Sequence, residues 1–289
     1  MNYTLHLGLH KTGTTFLQNT LKDNRSLLSN HLLFIPLSQS RNNITPYLSG
    51  REGLDYSIPK NFIKKINTEA QTLNVSDIIL SEENFMGFPI QIKSSLYENS
   101  QLRLSQLKNL ISNESSSVTK IILSLREYSS FFESLFLEAN KRRMIPIESI
   151  NTAKLKQFSY FELIKDIKNI FPEVEVDIVT YESFKEENLL LFEAVTGLSN
   201  TDVLNKLEFS SERRVSPSIE AYYDSLKIYA LNDISDNAKE FIHKKLMQSD
   251  IYPKKHKSNI LFSEKDCVIL REKYKQDLEF ISGLVDNLL

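Results

Sequence analysis

The chain has 289 residues, enough for one large domain or two small ones and ample to bury a hydrophobic core. Its hydrophobic content of 41% and charged content of 25% are ordinary for a soluble globular protein, and its net charge of -2 gives no general reason to expect nucleic acid binding. The one cysteine, Cys267, excludes an internal disulfide and a multi-cysteine zinc site, and it fits a reducing compartment.

Targeting and metal-binding patterns are not visible in the sequence. No basic segment precedes an apolar run at the N-terminus, and residues 8–15 interrupt the early apolar stretch too soon for a membrane span. We therefore expect a cytoplasmic protein without a membrane span. The five histidines are scattered, without paired helical spacing or cysteine partners, so no metal site is expected.

The first twenty residues predict a strand, a tight polar loop and a helix. Residues 3–9 mix β-branched, aromatic and aliphatic side chains, which is typical of a buried strand. Residues 10–15 form the loop, and a helical pattern runs from there to about residue 31. Such a loop presents free backbone N–H groups and a positive dipole end to an anion.

The residues of this loop indicate which anion it holds. Gly8 and Gly13 are spaced as in a Walker A motif. The next two positions are Thr14 and Thr15, where a nucleoside-triphosphate site needs a lysine and then a hydroxyl. The lysine comes earlier, as Lys11, and with the hydroxyls it can hold a single 5′-phosphate group and whatever is attached to it. The pattern therefore argues against a triphosphatase.

Strand and helix patterns then alternate along the chain. Apolar runs predict an edge strand at residues 32–36 and buried strands at residues 77–81, 119–125 and 173–180. Amphipathic spacing predicts helices at residues 61–73, 102–111, 128–142, 160–170 and 184–196. Residues 37–57 are expected to form an irregular surface loop, and residues 144–159 a loop or short helix.

The remainder of the chain has a helical pattern only. Helices are predicted at residues 221–230, 236–247 and 264–288. We therefore expect a single domain of the α/β class. In it, residues 1–198 form a largely parallel sheet with helices on both faces, and residues 199–289 form a helical section packed on that core.

Chemically active side chains follow several of the predicted strands. Open parallel sheets bind ligands at the carboxyl ends of their strands. Arg126 ends one strand and Ser134 lies eight residues on, so a guanidinium and a hydroxyl could hold a phosphate. The alternative is an Arg–Glu surface pair and a serine on a helix face. Tyr181 ends another strand, where it could stack on a base or only cap the strand.

Two adjacent carboxylates, Glu82 and Glu83, are candidates for a general base. Both follow the strand at residues 77–81, and a strand-end carboxylate can take the proton of an acceptor as a new bond forms. One of the two is expected to be a solvated or structural carboxylate. His10 is the competing base because it adjoins Lys11, and its alternative is a histidine that only lines the loop.

Taken together, these segments resemble those of sulfotransferases that use 3′-phosphoadenosine 5′-phosphosulfate (PAPS). Residues 11–15 reproduce the Lys-(Ser/Thr)-Gly-Thr-Thr core of that family's 5′-phosphosulfate loop. Arg126 and Ser134 resemble its 3′-phosphate motif, although Glu127-Tyr128 stands where the family often has Asn-Pro or Asp-Pro. Residues 179–184 resemble its strand-end Tyr-Glu segment, whose tyrosine lies near the adenine.

The segment Ser81-Glu82-Glu83-Asn84 resembles the Ser-x-Glu-Asn segment common in bacterial carbohydrate-type sulfotransferases. This resemblance favours Glu83 over Glu82 as the base. It also implies that the acceptor is a saccharide or glycolipid, in a bacterium a surface polysaccharide or lipid-linked precursor. A small alcohol, lipid or metabolite remains open. The basic run at residues 254–257 could contact an anionic acceptor or be a solvated loop.

The resemblance implies a P-loop-like parallel sheet and an in-line transfer of the sulfuryl group of PAPS to a hydroxyl or amine, without a metal. Glu83 or His10 would take the acceptor's proton, and Lys11 would neutralise charge on the leaving phosphate oxygen. Tyr181 would lie near the adenine. The other residues implied in binding PAPS are Lys11, Thr12, Gly13, Thr14, Thr15, Arg126 and Ser134, with Arg213 and Arg214 of a late basic loop over the 3′-phosphate.

Two other functions remain open on the sequence. The first is a nucleotide or small-molecule kinase with a degenerate P-loop, which would need magnesium and a lysine at position 14. The second is a nucleotide-binding protein without catalysis.

Overall fold

The structure is a computed structural model, and it describes residues 1–49, 53–87, 96–112, 115–199, 201–210, 216–252 and 259–289. The strands are β1 (Asn2–His6), β2 (Leu33–Ile35), β3 (Asp77–Ser81), β4 (Ser117–Leu125), β5 (Glu175–Thr180) and β6 (Asn287–Leu288). The α-helices are α1 (Thr14–Asp23), α2 (Arg25–Leu28), α3 (Leu37–Asn43), α4 (Ser57–Thr72), α5 (Ser100–Ile111), α6 (Tyr128–Asn140), α7 (Thr152–Gln157), α8 (Tyr160–Ile170), α9 (Tyr181–Glu186), α10 (Asn188–Thr196), α11 (Thr201–Leu204), α12 (Ile219–Tyr229), α13 (Asp236–Met247) and α14 (Glu264–Ser282).

The strands form one sheet in the order β2-β3-β1-β4-β5-β6, and all the neighbouring pairs are parallel. The chain starts in the middle with β1 and builds one side of the sheet through β2 and β3. It then crosses to the other side at β4. The boundary between β1 and β4 is therefore the point where the strand order reverses, which is where open α/β sheets place their ligands.

Alternate residues of the central strands face two separate hydrophobic cores. Ile78 and Leu80 of β3 lie in the larger core, whereas Ile79 between them lies in the smaller one. The larger core is covered by α4, α5, α6, α8 and the C-terminal helices, and the smaller one by α1, α9 and α10. The sheet is thus buried on both faces by helices, which confirms the predicted α/β class. Burial of both faces is also the reason why the central strands have apolar residues at consecutive positions.

Several predicted elements are confirmed closely, and others differ. The strand at residues 77–81 and the helices at residues 160–170 and 236–247 have the predicted bounds. The helix predicted over residues 14–31 is interrupted at Asn24, whose side-chain amide donates to the carbonyls of Thr20 and Glu208. The helix predicted over residues 184–196 is two helices, α9 and α10.

The prediction of a surface loop over residues 37–57 is wrong for most of its described residues. They form α3 and a 3-10 helix, Thr45–Ser49, which pack against each other, and α3 also contacts β3. α3 has no apolar stripe in its sequence, Leu-Ser-Gln-Ser-Arg-Asn-Asn, so tertiary contacts rather than helical periodicity stabilise it.

The prediction that the C-terminal section is purely helical is also wrong. α14 ends at Ser282 rather than running to residue 288, and the chain finishes in β6, which pairs with β5. The side-chain amide of Asn287 donates to Asp177 at 2.7 Å across this pair. In the described part of the chain, no helix has the length and apolar character needed to cross a bilayer.

Candidate active site

A cavity of about 430 Å³ lies at the carboxyl ends of β1, β4 and β5. Its walls are the loop after β1, the first turn of α1, one face of α6, and the start of α9 and α10. Its volume is within the range of small-molecule binding sites. Because the cavity includes the carboxyl ends of the neighbouring strands β1 and β4, it lies where the strand order predicts a ligand site.

The loop after β1 depends on two glycines. Gly13 has φ +92°, and a Cβ atom there would lie 2.5 Å from Cε1 of Phe184. A Cβ atom on Gly8 would lie 2.6 Å from Oγ1 of Thr14. Lys11 itself has φ 67°, a left-handed conformation that is uncommon for a residue with a side chain. This loop therefore passes close to its neighbours and leads directly into the N-terminus of α1.

The threonines of the loop take different positions. Thr14 and Thr15 line the cavity, as does Gly13. Thr12 does not line it, because its side chain is fully buried and its hydroxyl donates to the carbonyl of Leu9 at 2.5 Å. The sequence predicts that the Thr12 hydroxyl contacts a ligand. In the structure this hydroxyl instead stabilises the loop through its bond to Leu9.

Lys11 points along the cavity wall to α6. Its Nζ donates to Oε2 of Glu138 at 3.2 Å, and Glu138 also pairs with Lys141 at 2.9 Å. Burial lowers the pKa of Lys11, and Glu138 opposes that shift. Burial raises the pKa of Glu138, but Lys11 and Lys141 outweigh it and hold this pKa below its ordinary value. Glu138 is therefore ionised at neutral pH.

Arg126, at the end of β4, contacts this loop. Its Nη1 donates to the carbonyl of Lys11 at 3.0 Å, and its Nε donates to Oγ of Ser130 at 3.0 Å. Its guanidinium lies 4.6 Å from the centre of the Tyr181 ring, within range of a cation–π interaction. The backbone carbonyl of Arg126 accepts a hydrogen bond from the hydroxyl of Tyr160 at 2.8 Å. The structure thus brings Lys11, Arg126 and Tyr181 to one cavity.

Ser134 lines the same cavity from α6. Its hydroxyl is 2.6 Å from that of Ser216, which also lines the cavity. Ser216 belongs to the segment that the sequence predicts as a late basic loop. Arg213 and Arg214 of that segment lie outside the described residues.

The Glu127-Tyr128 pair, where the resemblance is imperfect, begins α6. The Glu127 carboxylate accepts from the backbone N–H groups of Ser129 at 2.8 Å and Ser130 at 3.1 Å. A carboxylate that caps a helix in this way also interacts favourably with the helix dipole. Glu127 therefore fixes the start of the helix that carries Ser130, Ser134 and Glu138.

The two adjacent carboxylates differ in their surroundings. Glu82 is fully buried and accepts from Nε of Arg41 at 2.8 Å and from the backbone and side chain of Asn84. Burial raises the pKa of Glu82, and Arg41 counteracts this shift. Glu83 lines the cavity, and its Oε1 is 3.2 Å from Nη2 of Arg41. Glu82 is therefore a structural carboxylate, whereas Glu83 is the one that lines the cavity.

His10 has a hydrogen-bond partner at each ring nitrogen. The side-chain amide N–H of Asn84 donates to Glu82, so the amide oxygen faces His10 Nε2 at 3.1 Å and accepts a hydrogen bond from Nε2–H. This fixes Nδ1 as the acceptor for the hydroxyl of Tyr97 at 3.3 Å. Burial lowers the pKa of His10. His10 is thus a neutral histidine that orders the loop, and neither nitrogen presents a free lone pair to the cavity.

Arg41, Ser130 and Glu138 are among the residues at the site that the sequence did not indicate. Ser130, Ser134 and Glu138 recur at four-residue intervals on α6, so helical spacing from Ser134 could have found both neighbours. Arg41 left no such signal, because it lies in a segment without periodicity. Among the described residues, no group of three or more histidine, cysteine or acidic side chains could hold a metal ion.

Compared with known proteins, this chain shows a similarity in structure and no match in sequence. No protein-family model and no curated protein sequence matches it. A crystal structure of a sulfotransferase from Alicyclobacillus acidocaldarius is similar to 83% of this chain and 93% of its own, with 13% sequence identity and a TM-score of 0.39. A similarity of this degree assigns neither a family nor a function.

Proposed function

We propose that this chain is a sulfotransferase that transfers the sulfuryl group of PAPS to a hydroxyl or amine of an acceptor. The observation that carries the proposal is the contact of Arg126 with the Lys11 loop, with Nη1 3.0 Å from the loop carbonyl. Two cationic side chains from separate strand ends thus share one cavity. Such a cavity suits a nucleotide with one anionic group at each end of its ribose.

The chemistry of the cavity fits PAPS part by part. Lys11 and the N-terminus of α1 would hold the phosphosulfate, since helix N-termini and ammonium groups stabilise anions. Arg126, Ser134 and Ser216 supply donors for the 3′-phosphate. Tyr181 offers an aromatic ring for the adenine, although the guanidinium of Arg126 lies over it in this structure. Arg213 and Arg214 would add positive charge from the adjacent segment.

PAPS supplies an activated sulfuryl group, and residues of this chain stabilise the leaving group and remove the proton of the acceptor. Lys11 neutralises negative charge on the leaving phosphate oxygen. Glu83 takes the proton of the acceptor, a contribution that is typically about 10²- to 10⁴-fold in rate for a positioned base. Arg41 holds the Glu83 carboxylate at the cavity wall.

The acceptor we propose is a saccharide or glycolipid. The support for this class is the Ser81-Glu82-Glu83-Asn84 segment, which resembles a segment of carbohydrate-type sulfotransferases and contains Glu83, a residue that lines the cavity. The basic run at residues 254–257, a further candidate for contact with an anionic acceptor, lies outside the described residues. A cytoplasmic location remains an expectation from the sequence.

A direct test incubates the protein with PAPS labelled in its sulfuryl group and with panels of glycans, lipids and phenols. We expect one class of glycan to gain the label, as read by mass spectrometry, and 3′,5′-ADP to be released with it. Glu83→Gln should slow transfer by about 10²- to 10⁴-fold, whereas His10→Ala should slow it less. Absence of any transfer or of 3′,5′-ADP release would overturn the proposed function, and full turnover in Glu83→Gln would remove Glu83 as the base.

A further inference from the structure

The cation assigned to the phosphosulfate is already paired with a carboxylate. Lys11 Nζ lies 3.2 Å from Oε2 of Glu138, and both side chains line the cavity. The Lys11 side chain is only 12% exposed, whereas that of Glu138 is 38% exposed. Lys11 is thus fixed by its buried stem, and Glu138 is the partner with more room to move.

An anion cannot simply join this pair. An anionic group placed on the Lys11 ammonium would lie beside the Glu138 carboxylate, and two like charges at such a distance repel each other. Either Glu138 moves away from Lys11 or the anion binds weakly. Lys141, 2.9 Å from the same carboxylate and three residues along α6, can keep Glu138 after Lys11 has released it.

We propose that Glu138 is a specificity-determining residue of this cavity. Glu138 is the counter-ion of Lys11 until a ligand binds, and the 5′-anionic group of the ligand then replaces it on Lys11. Lys141 retains the displaced carboxylate. This inference rests on the proposed function, because it takes the ligand to be a nucleotide phosphorylated at both ends of the ribose. Glu138 touches the binding cation and not the reacting atoms.

The exchange disfavours small free anions. Inorganic phosphate or sulfate must displace Glu138 with no other anchor in the cavity. A nucleotide whose 3′-phosphate is already held by Arg126 presents its 5′-group to Lys11 at a high effective concentration. Because of Glu138, binding of the 5′-anionic group at Lys11 therefore depends on the 3′-phosphate of the same nucleotide.

The test measures nucleotide affinities of the full chain and of Glu138→Gln by calorimetry. The probes are 3′,5′-ADP, which places a phosphate on Lys11, and 3′-AMP, which has no 5′-phosphate. Removal of the competing charge should tighten 3′,5′-ADP by about five- to tenfold. The affinity for 3′-AMP should stay unchanged. Inorganic phosphate, which the wild type should bind poorly, should bind measurably to the variant.

Glu133→Gln is the matched control. Glu133 is a cavity-lining glutamate on the same helix, and its carboxylate accepts from the backbone N–H of Ile260 at 2.9 Å. The control removes the same charge from the same cavity but not from the Lys11 ammonium, so it should tighten 3′,5′-ADP by less than about twofold. Thermal melts report whether each variant is folded, and Glu138→Ala is the second variant should Glu138→Gln fail to fold.

The outcomes separate this inference from the proposed function. Three results would overturn the exchange while the proposed function stands. In the first, Glu138→Gln tightens 3′,5′-ADP and 3′-AMP equally, and in the second it tightens neither. The third such result is that Glu133→Gln tightens 3′,5′-ADP as much as Glu138→Gln does. If the wild type binds neither nucleotide, the proposed function is wrong and the exchange is wrong with it. Tightening confined to 3′,5′-ADP and phosphate, and to position 138, supports the exchange.

Discussion

At the scale of single residues, Arg126 makes the contacts on which the site depends. It donates to the Lys11 carbonyl and to Ser130, and it stacks on Tyr181. The fork of a guanidinium allows these bonds at the same time, and a lysine ammonium has no equivalent geometry. The identity of the side chain, beyond its charge, therefore matters at this position.

Arg126→Lys should weaken 3′,5′-ADP binding by roughly ten- to a hundredfold, the equivalent of a lost charge-assisted hydrogen bond. Binding of 5′-AMP, which lacks the 3′-phosphate, should change little. Calorimetry with both nucleotides checks this. An equal loss for both would show that Arg126 only supports the loop.

Arg41 is a second residue whose removal has a predictable effect. Glu82 would remain fully buried, with the hydrogen bonds from Asn84 and the charge of the neighbouring Arg103 left to stabilise it but no guanidinium bonded to its carboxylate among the described residues. Arg41→Gln should therefore lower the free energy of unfolding by about 2 kcal/mol at neutral pH. The matched control is Arg25→Gln, because Arg25 pairs with Glu69 at the surface and both are more than a third exposed. That exposed pair should contribute well under about 1 kcal/mol.

The deficit of Arg41→Gln should depend on pH. Burial raises the pKa of Glu82, and the loss of Arg41 raises it further, so the folded variant takes up a proton at a higher pH than the unfolded chain does. Protonated Glu82 does not need the guanidinium. The deficit should thus be largest at neutral pH and shrink as the pH falls through the pKa of Glu82. Urea unfolding at several pH values measures it, and a deficit independent of pH would contradict this account.

At the scale of elements, the loop between β1 and α1 sets the geometry of the site. Gly13→Ala combines a strained φ with a clash against Phe184, because the added Cβ would lie 2.5 Å from the ring. We expect a loss of about 3 kcal/mol in stability, together with weaker 3′,5′-ADP binding. Chemical denaturation and calorimetry measure the two effects.

Gly197→Ala is the control for Gly13→Ala. Gly197 ends α10 with φ +65°, and an added Cβ would meet nothing within 4 Å. Only the conformational cost applies there, which is about 1 kcal/mol, and nucleotide binding should be unchanged. Equal losses in the two variants would mean that the contact with Phe184 does not constrain the loop.

The elements also show what sequence can and cannot predict. Strands such as residues 77–81 are predicted well because a sheet buried on both faces needs an unbroken apolar run. α3 escapes prediction because its sequence has no periodicity, and with it Arg41 was missed. β6 escapes because two exposed residues, Asn287 and Leu288, carry no strand pattern and form a strand only by pairing with β5. In the site, local motifs predicted Lys11 and Arg126, whereas partners across the cavity such as Glu138 depend on tertiary structure.

At the scale of the whole molecule, the C-terminal helix α14 is connected to the site. Asp277 of α14 accepts hydrogen bonds from the hydroxyls of Tyr128 and Ser159 and from the backbone N–H of Tyr160. The hydroxyl of Tyr160 then donates to the carbonyl of Arg126. α14 thus helps to fix the end of β4, although the two elements lie far apart in sequence.

Buried histidines should make the stability of the molecule depend on pH. Burial lowers the pKa of His6 to about 3, and burial also lowers the pKa values of His10 and His243. The unfolded chain binds protons at these residues below about pH 6.5, whereas the folded chain binds fewer there at the same pH. The free energy of unfolding should therefore fall as the pH drops from 6.5 towards 5.

His6→Gln should reduce that slope by about one proton, roughly 1.4 kcal/mol per pH unit. His6 lies between the hydroxyls of Ser81 and Ser124, and Gln can bond to both. Urea unfolding of the wild type and variant between pH 7 and pH 5 measures the slope. An unchanged slope would show that His6 does not resist protonation in the folded protein.

The central claim is that one cavity binds a nucleotide by both of its phosphates, through Lys11 and Arg126. Calorimetry of the wild-type protein with 3′,5′-ADP and with ATP, the latter with and without magnesium, tests it most directly. The account predicts that 3′,5′-ADP binds at least about tenfold more tightly than ATP under both conditions. Equal or tighter binding of ATP would contradict it.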